Sequence, residues 1–194
     1  MFINPQTAIK NGWITGIKNP EKQIQPNAID FTLDKVFIIN DEESFGISED
    51  EKVMKGSTPC PPQSGGWMIQ ERGMIDCLSD MYCDLPKGVA AMLVIRSSLA
   101  RNGLLLVSGL YDSGFKGHIG FLLHNCSNST AHFATGTRVG QIIFVHSTSS
   151  HLYAGDYNHE SGTDLEYQQE YELKDGTDLG HETKYLVKKN WDNL

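Results

Sequence analysis

The chain has 194 residues, of which 39% are hydrophobic, and a formal net charge of −8. This acidic balance argues against a nucleic-acid partner, because binding to nucleic acid requires a basic face that contacts many phosphates. No stretch approaches the roughly 18 consecutive apolar residues of a membrane span, and the N-terminus lacks the pattern of a signal peptide. We therefore expect one domain over residues 1–194, located in the cytoplasm (host cytoplasm for a viral protein), with no membrane partner.

The first third of the chain predicts short elements followed by a long loop. A short helix is predicted within the first fifteen residues, and residues 24–39 alternate well enough in places for a strand. Residues 41–66 are acidic and then rich in Pro, Ser and Gly. This composition predicts a long surface excursion within the domain.

From about residue 90 the chain consists of short apolar runs separated by turn residues. The runs are AAMLVIR, LLLVSGLYD, GHIGFLLHN and VGQIIFVHS, with Asn-Gly, Ser-Gly and Thr-Gly pairs between them. Such runs predict the strands of a sandwich or barrel, so the expected class is all-β with minor short helices. From about residue 151 the chain becomes polar, which predicts a C-terminal tail of hairpins or a segment that packs on a neighbour.

Four segments resemble, in order, the motifs of the superfamily that joins the trimeric dUTPases to the dCTP deaminases. They are IQPNAIDFTL (24–33), RSSLARNG (96–103), GLYDSGFKGHIGFLLHN (109–125) and GTRVGQIIF (136–144). The resemblance covers roughly residues 20–150. It implies a distorted β-barrel or jelly roll of the dUTPase-like type and a pyrimidine deoxynucleoside triphosphate as ligand. It also implies a homotrimer in which neighbouring subunits share each active site.

The third segment contains the expected catalytic group. By the resemblance, Asp112 activates the attacking water, whereas the alternative from its position alone is a residue that caps a turn. Phe115 matches the aromatic that stacks on the deoxyribose and excludes a ribose 2′-hydroxyl, and the alternative is a plain core phenylalanine. The backbone near Gly109 and Leu110 is expected to contact the edge of the uracil.

The second segment is expected to bind the phosphates. Hydroxyl groups, backbone amides and guanidinium groups at Arg96, Ser97, Ser98 and Arg101 would together form a phosphate cradle. Ser98 is glycine in the usual dUTPase version of this motif, and RSSLAR is the spelling of the deaminases. This segment therefore leaves the reaction open.

The first and last segments contribute three further polar residues. Gln141 matches the glutamine that contacts the phosphate chain, and Arg138 is either structural or paired with a nearby carboxylate. Asp30 matches the aspartate placed near the triphosphate and its metal, which predicts an indirect metal contact. A hydrogen bond at the end of a strand is the alternative role for Asp30.

Neither the cysteines nor the histidines show a metal-ligand spacing. The four cysteines form no CxxC pair, and we expect reduced structural thiols. The seven histidines form no HxxxH pair, and scattered structural histidines are expected. The expected metal is Mg²⁺ that is bound through the triphosphate and keeps most of its waters.

Position 122 distinguishes the two reactions of the superfamily. The deaminases have a glutamate ten residues beyond the aspartate of the third motif, and this chain has Leu122 there, which cannot transfer a proton. We therefore expect hydrolysis of dUTP to dUMP and pyrophosphate. The alternatives are dCTP deamination, alone or together with hydrolysis, and a non-catalytic deoxynucleotide sensor.

The tail resembles the deaminase branch more than the dUTPase branch. Tyr157, Tyr167 and Gln169 resemble the tyrosine and glutamine lid of the deaminases and are expected to contact the substrate. Glu166 stands where that branch prefers a lysine. The glycine-rich, arginine-containing arm of many dUTPases has no clear counterpart in this chain.

Overall fold

The computed structural model describes residues 1–40, 44–48, 52–53 and 55–155. Its helices are α1 (Pro5–Lys10), α2 (Pro20–Gln23) and α3 (Ser97–Ala100). Its strands are β1 (Ile14–Thr15), β2 (Ile29–Thr32), β3 (Lys35–Ile39), β4 (Gly46–Ile47), β5 (Lys52–Val53), β6 (Ser57–Pro59), β7 (Gly66–Ile69), β8 (Met74–Asp84), β9 (Val89–Ile95), β10 (Leu104–Val107), β11 (Lys116–Asn125), β12 (Ala131–Ala134) and β13 (Arg138–His146). The predicted all-β class with minor short helices is confirmed.

Two larger sheets and two strand pairs make up the described part of the fold. The six-stranded sheet has the order β10-β11-β8-β3-β6, with β1 paired to β8. The three-stranded sheet has the order β2-β13-β9, and the pairs are β12-β7 and β4-β5. These sheets do not close into a true barrel, so the barrel part of the expectation is replaced by separate packed sheets.

The N-terminal segment follows its local sequence. In α1 the side chain of Asn4 accepts a hydrogen bond from the backbone N–H of Gln6, and proline occupies the first helical position. The predicted short helix is therefore confirmed. The strand expected within residues 24–39 is two strands, β2 and β3, which belong to different sheets. Leu33 lies between them and pairs through its backbone with Thr137 and Gly136.

The long strand β8 precedes the apolar runs from which the later strands are predicted, so no strand is expected there. Its buried positions alternate with half-buried ones, and the buried set includes a serine and two cysteines. The outward positions include Asp76 and Asp80, so no continuous apolar run appears in the sequence. The usable signal is the alternation of period two, which is typical of a strand with one buried face.

The core lies between the two larger sheets. Phe31 of β2 and Phe121 of β11 are in contact, with ring centroids 5.0 Å apart. A Cβ atom at Gly140 of β13 would lie 2.6 Å from Cε1 of Phe31, so only glycine leaves room for this ring. The contact fixes β2 beside β13, and these two strands carry polar residues on their other face.

The segment 41–66 contains the β4-β5 pair and then β6, which joins the edge of the six-stranded sheet beside β3. In the described part of the chain no helix is long and apolar enough to cross a membrane. The single domain over residues 1–194 stays a prediction, because positions 156–194 lie outside the described residues.

Candidate active site

A buried carboxylate brings together residues from three of the four segments. Asp30 of β2 is 1% exposed and lies directly across from Gln141 of β13. Its Oδ1 accepts a hydrogen bond from Nε2 of Gln141 at 2.8 Å. Its Oδ2 lies 2.9 Å from Nη1 of Arg138 and 3.3 Å from Nε of Arg96. We call these four residues the Asp30 cluster.

Backbone contacts hold the two arginines of the Asp30 cluster in place. Arg96 follows β9, donates its backbone N–H to the carbonyl of Val139 at 3.2 Å, and donates from Nη1 to the carbonyl of Arg138 at 3.2 Å. Nη1 of Arg138 also donates to the carbonyl of Lys22. The pairing of Arg138 with a nearby carboxylate, one of its two expected roles, is thus confirmed.

The Asp30 cluster is positively charged within an acidic chain. Two guanidinium groups face one carboxylate, and their side chains are 30% and 28% exposed, so part of each remains open to solvent. Arg101 is exposed on the same segment as Arg96. Because a guanidinium has five N–H donors, this region retains donors for an anion after Asp30 is satisfied.

The short helix α3 presents the remaining residues of the second segment. Ser97, Ser98 and Arg101 are all exposed. The carbonyl of Ser98 accepts a hydrogen bond from Asn102, which closes the turn after the helix. Within the described residues, neither serine hydroxyl has a hydrogen-bond partner. These donors are therefore available to a ligand.

The third segment forms a separate turn that carries Asp112. The backbone of Tyr111 pairs with Ala91 of β9 in both directions, at 2.8 and 2.9 Å. The backbone N–H of Phe115 donates to the carbonyl of Asp112 at 3.1 Å, and Gly114 has a φ of +88°, which favours glycine. The side chain of Asp112 is exposed and has no hydrogen bond or ion pair with another described residue. Gly109 and Leu110 are also exposed.

Phe115 is surrounded by aromatic side chains in this chain. It is 8% exposed, its ring meets Tyr111 edge-on with centroids 4.8 Å apart, and Tyr153 lies 5.9 Å away on another side. The backbone N–H of Tyr153 donates to the carbonyl of Ser113 at 2.7 Å. The segment after β13 therefore packs on the Asp112 turn, a contact that sequence reasoning did not find. The stacking of Phe115 on a sugar stays a prediction.

Leu122 has a carboxylate as its neighbour across the sheet. In β11 it pairs with Val107 of β10 on one side and with Asp76 of β8 on the other. Asp76 is half-buried and accepts a hydrogen bond from the backbone N–H of Cys77 at 2.8 Å. The sequence around Leu122 does not indicate this residue, because Asp76 lies on a different strand, β8.

The predicted lid residues belong to the polar C-terminal tail. Tyr157, Tyr167 and Gln169, together with Glu166, lie outside the described residues. Their proposed contacts with substrate stay predictions. Within the described residues no group of three or more His, Cys, Asp or Glu side chains could hold a metal ion.

The comparison with solved structures supports the fold class. The crystal structure of 2′-deoxycytidine 5′-triphosphate deaminase from Agrobacterium tumefaciens superposes with a TM-score of 0.54 at 14% sequence identity. The match covers 72% of this chain and 44% of that chain, so this chain spans less than half the length of the Agrobacterium protein. At this identity the likeness shows the fold alone, which is the dUTPase-like all-β fold.

Comparisons of sequence define the family. Residues 5–147 match the profile of the family described as dCTP deaminase-like, and the chain belongs to this family. A probable deoxyuridine 5′-triphosphate nucleotidohydrolase from Methanosarcina acetivorans is 24% identical, over 73% of this chain and 84% of the relative. A dUMP-forming dCTP deaminase from Rhodococcus opacus is 30% identical, over 67% of this chain and 71% of the relative. The predicted resemblance is confirmed, and the two relatives are named for different reactions.

Proposed function

We propose that this protein hydrolyses dUTP to dUMP and pyrophosphate. The observation that carries the proposal is the Asp112 turn, which holds an exposed carboxylate without a partner among the described residues, while position 122 carries leucine. An exposed carboxylate without a hydrogen-bond partner can accept a proton from water. A leucine side chain cannot transfer a proton to or from the cytosine ring. The relative from Methanosarcina acetivorans, named as a probable dUTP nucleotidohydrolase, supports the same reaction.

The Asp30 cluster and α3 would hold the triphosphate. The buried carboxylate fixes the guanidinium of Arg96, and the exposed hydroxyls of Ser97 and Ser98 lie at the start of the adjoining helix. Arg101 adds a second exposed guanidinium on the same segment. Guanidinium groups are suited to bidentate contact with phosphate oxygens, so this surface matches a polyphosphate chain.

Gln141 would contact the phosphate chain from the neighbouring strand. Its Nε2 already donates one hydrogen bond to Asp30, which leaves the second hydrogen of this amide and the amide oxygen for other partners. Asp30 accepts from an amide and from two guanidinium groups, so its expected relation to the metal is indirect, through the residues it holds.

Magnesium would enter with the substrate. Hard oxygen ligands are what Mg²⁺ prefers, and the phosphates supply them without a protein cage. When bound there, the ion supplies positive charge that offsets the phosphates in this acidic chain. The residues of this chain fit that arrangement because Asp112 is exposed and the guanidinium groups of Arg96 and Arg138 are partly open to solvent, where they would contact the phosphates.

Asp112 would act as the general base on a water molecule near the α-phosphate. A positioned general base contributes typically 10²- to 10⁴-fold to the rate. The turn leaves the carboxylate exposed directly after Tyr111, whose backbone is paired to Ala91 of β9. This arrangement lets it contact water without displacing a structural hydrogen bond.

The geometry of β9 favours a site that is shared between subunits. Tyr111 pairs with Ala91 of β9. Arg96 lies five residues after Ala91 along the direction of β9, so the Cα atoms of Ala91 and Arg96 are roughly 16 Å apart at 3.3 Å per residue. Because the pairing is antiparallel, Asp112 continues away from Arg96. Side chains of one chain therefore do not reach the same phosphate, and a homotrimer with shared sites would bring the Asp112 turn of one copy to the Asp30 cluster of another.

Hydrolysis in ¹⁸O-labelled water tests the proposal. The protein is incubated with dUTP and Mg²⁺, and the products are separated and weighed by mass spectrometry. We expect ¹⁸O in dUMP and none in pyrophosphate, because water attacks the α-phosphorus. Asp112→Asn is expected to lower kcat at least 10²-fold, and Asp80→Asn, a control carboxylate paired with Lys18, is expected to change it less than twofold. Label in pyrophosphate, or full activity of Asp112→Asn, would contradict the mechanism.

dCTP deamination is the second candidate, and Asp76 is the observation that favours it. This carboxylate lies directly across from Leu122 on the neighbouring strand, and directly opposed residues have Cβ atoms about 5 Å apart. Incubation with dCTP decides between the candidates. Release of ammonia that is lost in Asp76→Asn would place deamination first, whereas binding of either nucleotide without turnover would favour the sensor.

A further inference from the structure

The hydroxyl group of Tyr111 makes two hydrogen bonds to the backbone of Gly120, which lies on β11 of the six-stranded sheet. It donates to the carbonyl of Gly120 at 2.7 Å and accepts the backbone N–H of Gly120 at 3.0 Å. The pairing of β11 with β8 shifts its register between His118 and Gly120. The phenol therefore binds the backbone of β11 where the regular ladder is interrupted.

The backbone of Tyr111 is hydrogen-bonded to the three-stranded sheet. Its N–H and carbonyl pair with Ala91 of β9, which belongs to the three-stranded sheet. Tyr111 is 7% exposed, and its ring meets Phe115 edge-on on the far side of the turn. One residue thus links both larger sheets directly before Asp112, and its ring supports the residue that closes the turn.

We infer that Tyr111 is a positioning residue, whose hydroxyl sets where the Asp112 carboxylate stands relative to the substrate. The inference rests on the proposed catalytic role of Asp112. The side chain of Asp112 is exposed and has no hydrogen bond or ion pair with another described residue that could orient it. Its position therefore depends on the backbone of the turn, and the hydroxyl of Tyr111 is the polar anchor of that backbone on β11.

Tyr111→Phe tests the inference, because it removes the two hydrogen bonds and keeps the ring. We expect kcat for dUTP to fall about tenfold while KM stays within twofold, since the residue does not touch the phosphates. The matched control is Tyr82→Phe on β8, a residue that pairs with His118 of β11 and whose ring meets the His118 ring edge-on. Its kcat is expected to stay within twofold. Unchanged kcat in Tyr111→Phe, or a change in KM alone, would overturn the inference.

Hydrogen–deuterium exchange gives a readout that does not depend on activity. The amide of Gly114 donates to Leu85 and that of Phe115 to Asp112, so both report whether the turn is closed. We expect peptides covering residues 109–116 to exchange at least tenfold faster in Tyr111→Phe than in the wild type. The same peptides should be unchanged in Tyr82→Phe.

The wild-type protein alone provides a further check in case Tyr111→Phe fails to fold. The Gly120 amide is expected to be protected from exchange, and exchange at the rate of an exposed amide would overturn the inference. Absence of dUTP turnover in the wild type would refute the proposed function. The exchange data would still show whether Tyr111 holds the turn in place. Normal turnover in the wild type, together with unchanged exchange and unchanged kcat in Tyr111→Phe, would refute only the inference about Tyr111.

Discussion

Replacing Asp30 by asparagine is expected to destabilise the protein strongly. The substitution keeps the size of the side chain but removes the charge that faces Arg138 at 2.9 Å and Arg96 at 3.3 Å. Breaking a buried ion pair by removing one partner costs about 3–5 kcal/mol. Because both guanidinium groups are nearly a third exposed, water can hydrate them in the variant, and we expect a smaller loss of about 2–3 kcal/mol. For a chain of this size that corresponds to a fall in Tm of roughly 5–10 °C.

Urea unfolding at one fixed protein concentration measures this loss, because an oligomer would make stability depend on concentration. Asp84→Asn is the matched control, since its carboxylate is 51% exposed and lies 3.7 Å from Lys116. An exposed pair of this kind contributes about 0–1 kcal/mol. If Asp30→Asn destabilised the protein no more than Asp84→Asn, the Asp30 cluster would not have the energetic role assigned to it.

Three further predictions concern packing, acid stability and thiol reactivity. Gly140→Ala is expected to lower the free energy of unfolding by about 1–3 kcal/mol, measured in urea, because the added Cβ overlaps a core ring. Burial opposes ionisation of Asp34, but hydrogen bonds from Lys18 and other donors outweigh it and lower the pKa of Asp34. The ionised Asp34 carboxylate therefore stabilises the fold above its unfolded pKa of about 3.9, and this stabilisation is lost as pH falls through its folded pKa. We expect the Tm of Asp34→Asn to fall less between pH 5 and 3 than the Tm of the wild type. Burial raises the pKa of Cys83 to about 12 and that of Cys77 well above its usual value, so two of the four thiols should resist Ellman's reagent at pH 8 until the protein is unfolded.

Each of these predictions has an outcome that contradicts it. Gly109→Ala is the packing control, since no atom lies within 4 Å of its added Cβ; equal losses in the two alanine variants would refute the overlap argument. An unchanged acid profile in Asp34→Asn would show that the carboxylate does not set the pH dependence. Four equally reactive thiols in the folded protein would mean that the two buried cysteines are accessible.

The resemblance placed three residues of the Asp30 cluster near the same triphosphate. Asp30, Arg96 and Gln141 each lie in a separate recognisable segment, and the fold brings these segments together. The ion pairs that satisfy Asp30 required the structure, because they depend on the register between β2 and β13. Sequence alone left open whether Arg138 was structural or paired.

The contacts around the two reactive positions could not be predicted from sequence for the same reason. Tyr153 meets Phe115, and Asp76 lies across from Leu122, through pairings of segments that are distant along the chain. Strand β8, which supplies Asp76, has charged residues on its outer face and so lacks a continuous apolar run. Its alternation of buried and half-buried residues was the signal that could have revealed it.

Side-by-side incubation of the purified protein with dUTP and with dCTP, each with Mg²⁺, distinguishes hydrolysis of dUTP from deamination of dCTP. Ion-exchange chromatography separates the nucleotide products of both reactions. We expect dUTP to be converted to dUMP and pyrophosphate and dCTP to be left unchanged. Conversion of dCTP to dUTP or dUMP would refute the proposed function, because this product would show that leucine at position 122 does not prevent deamination.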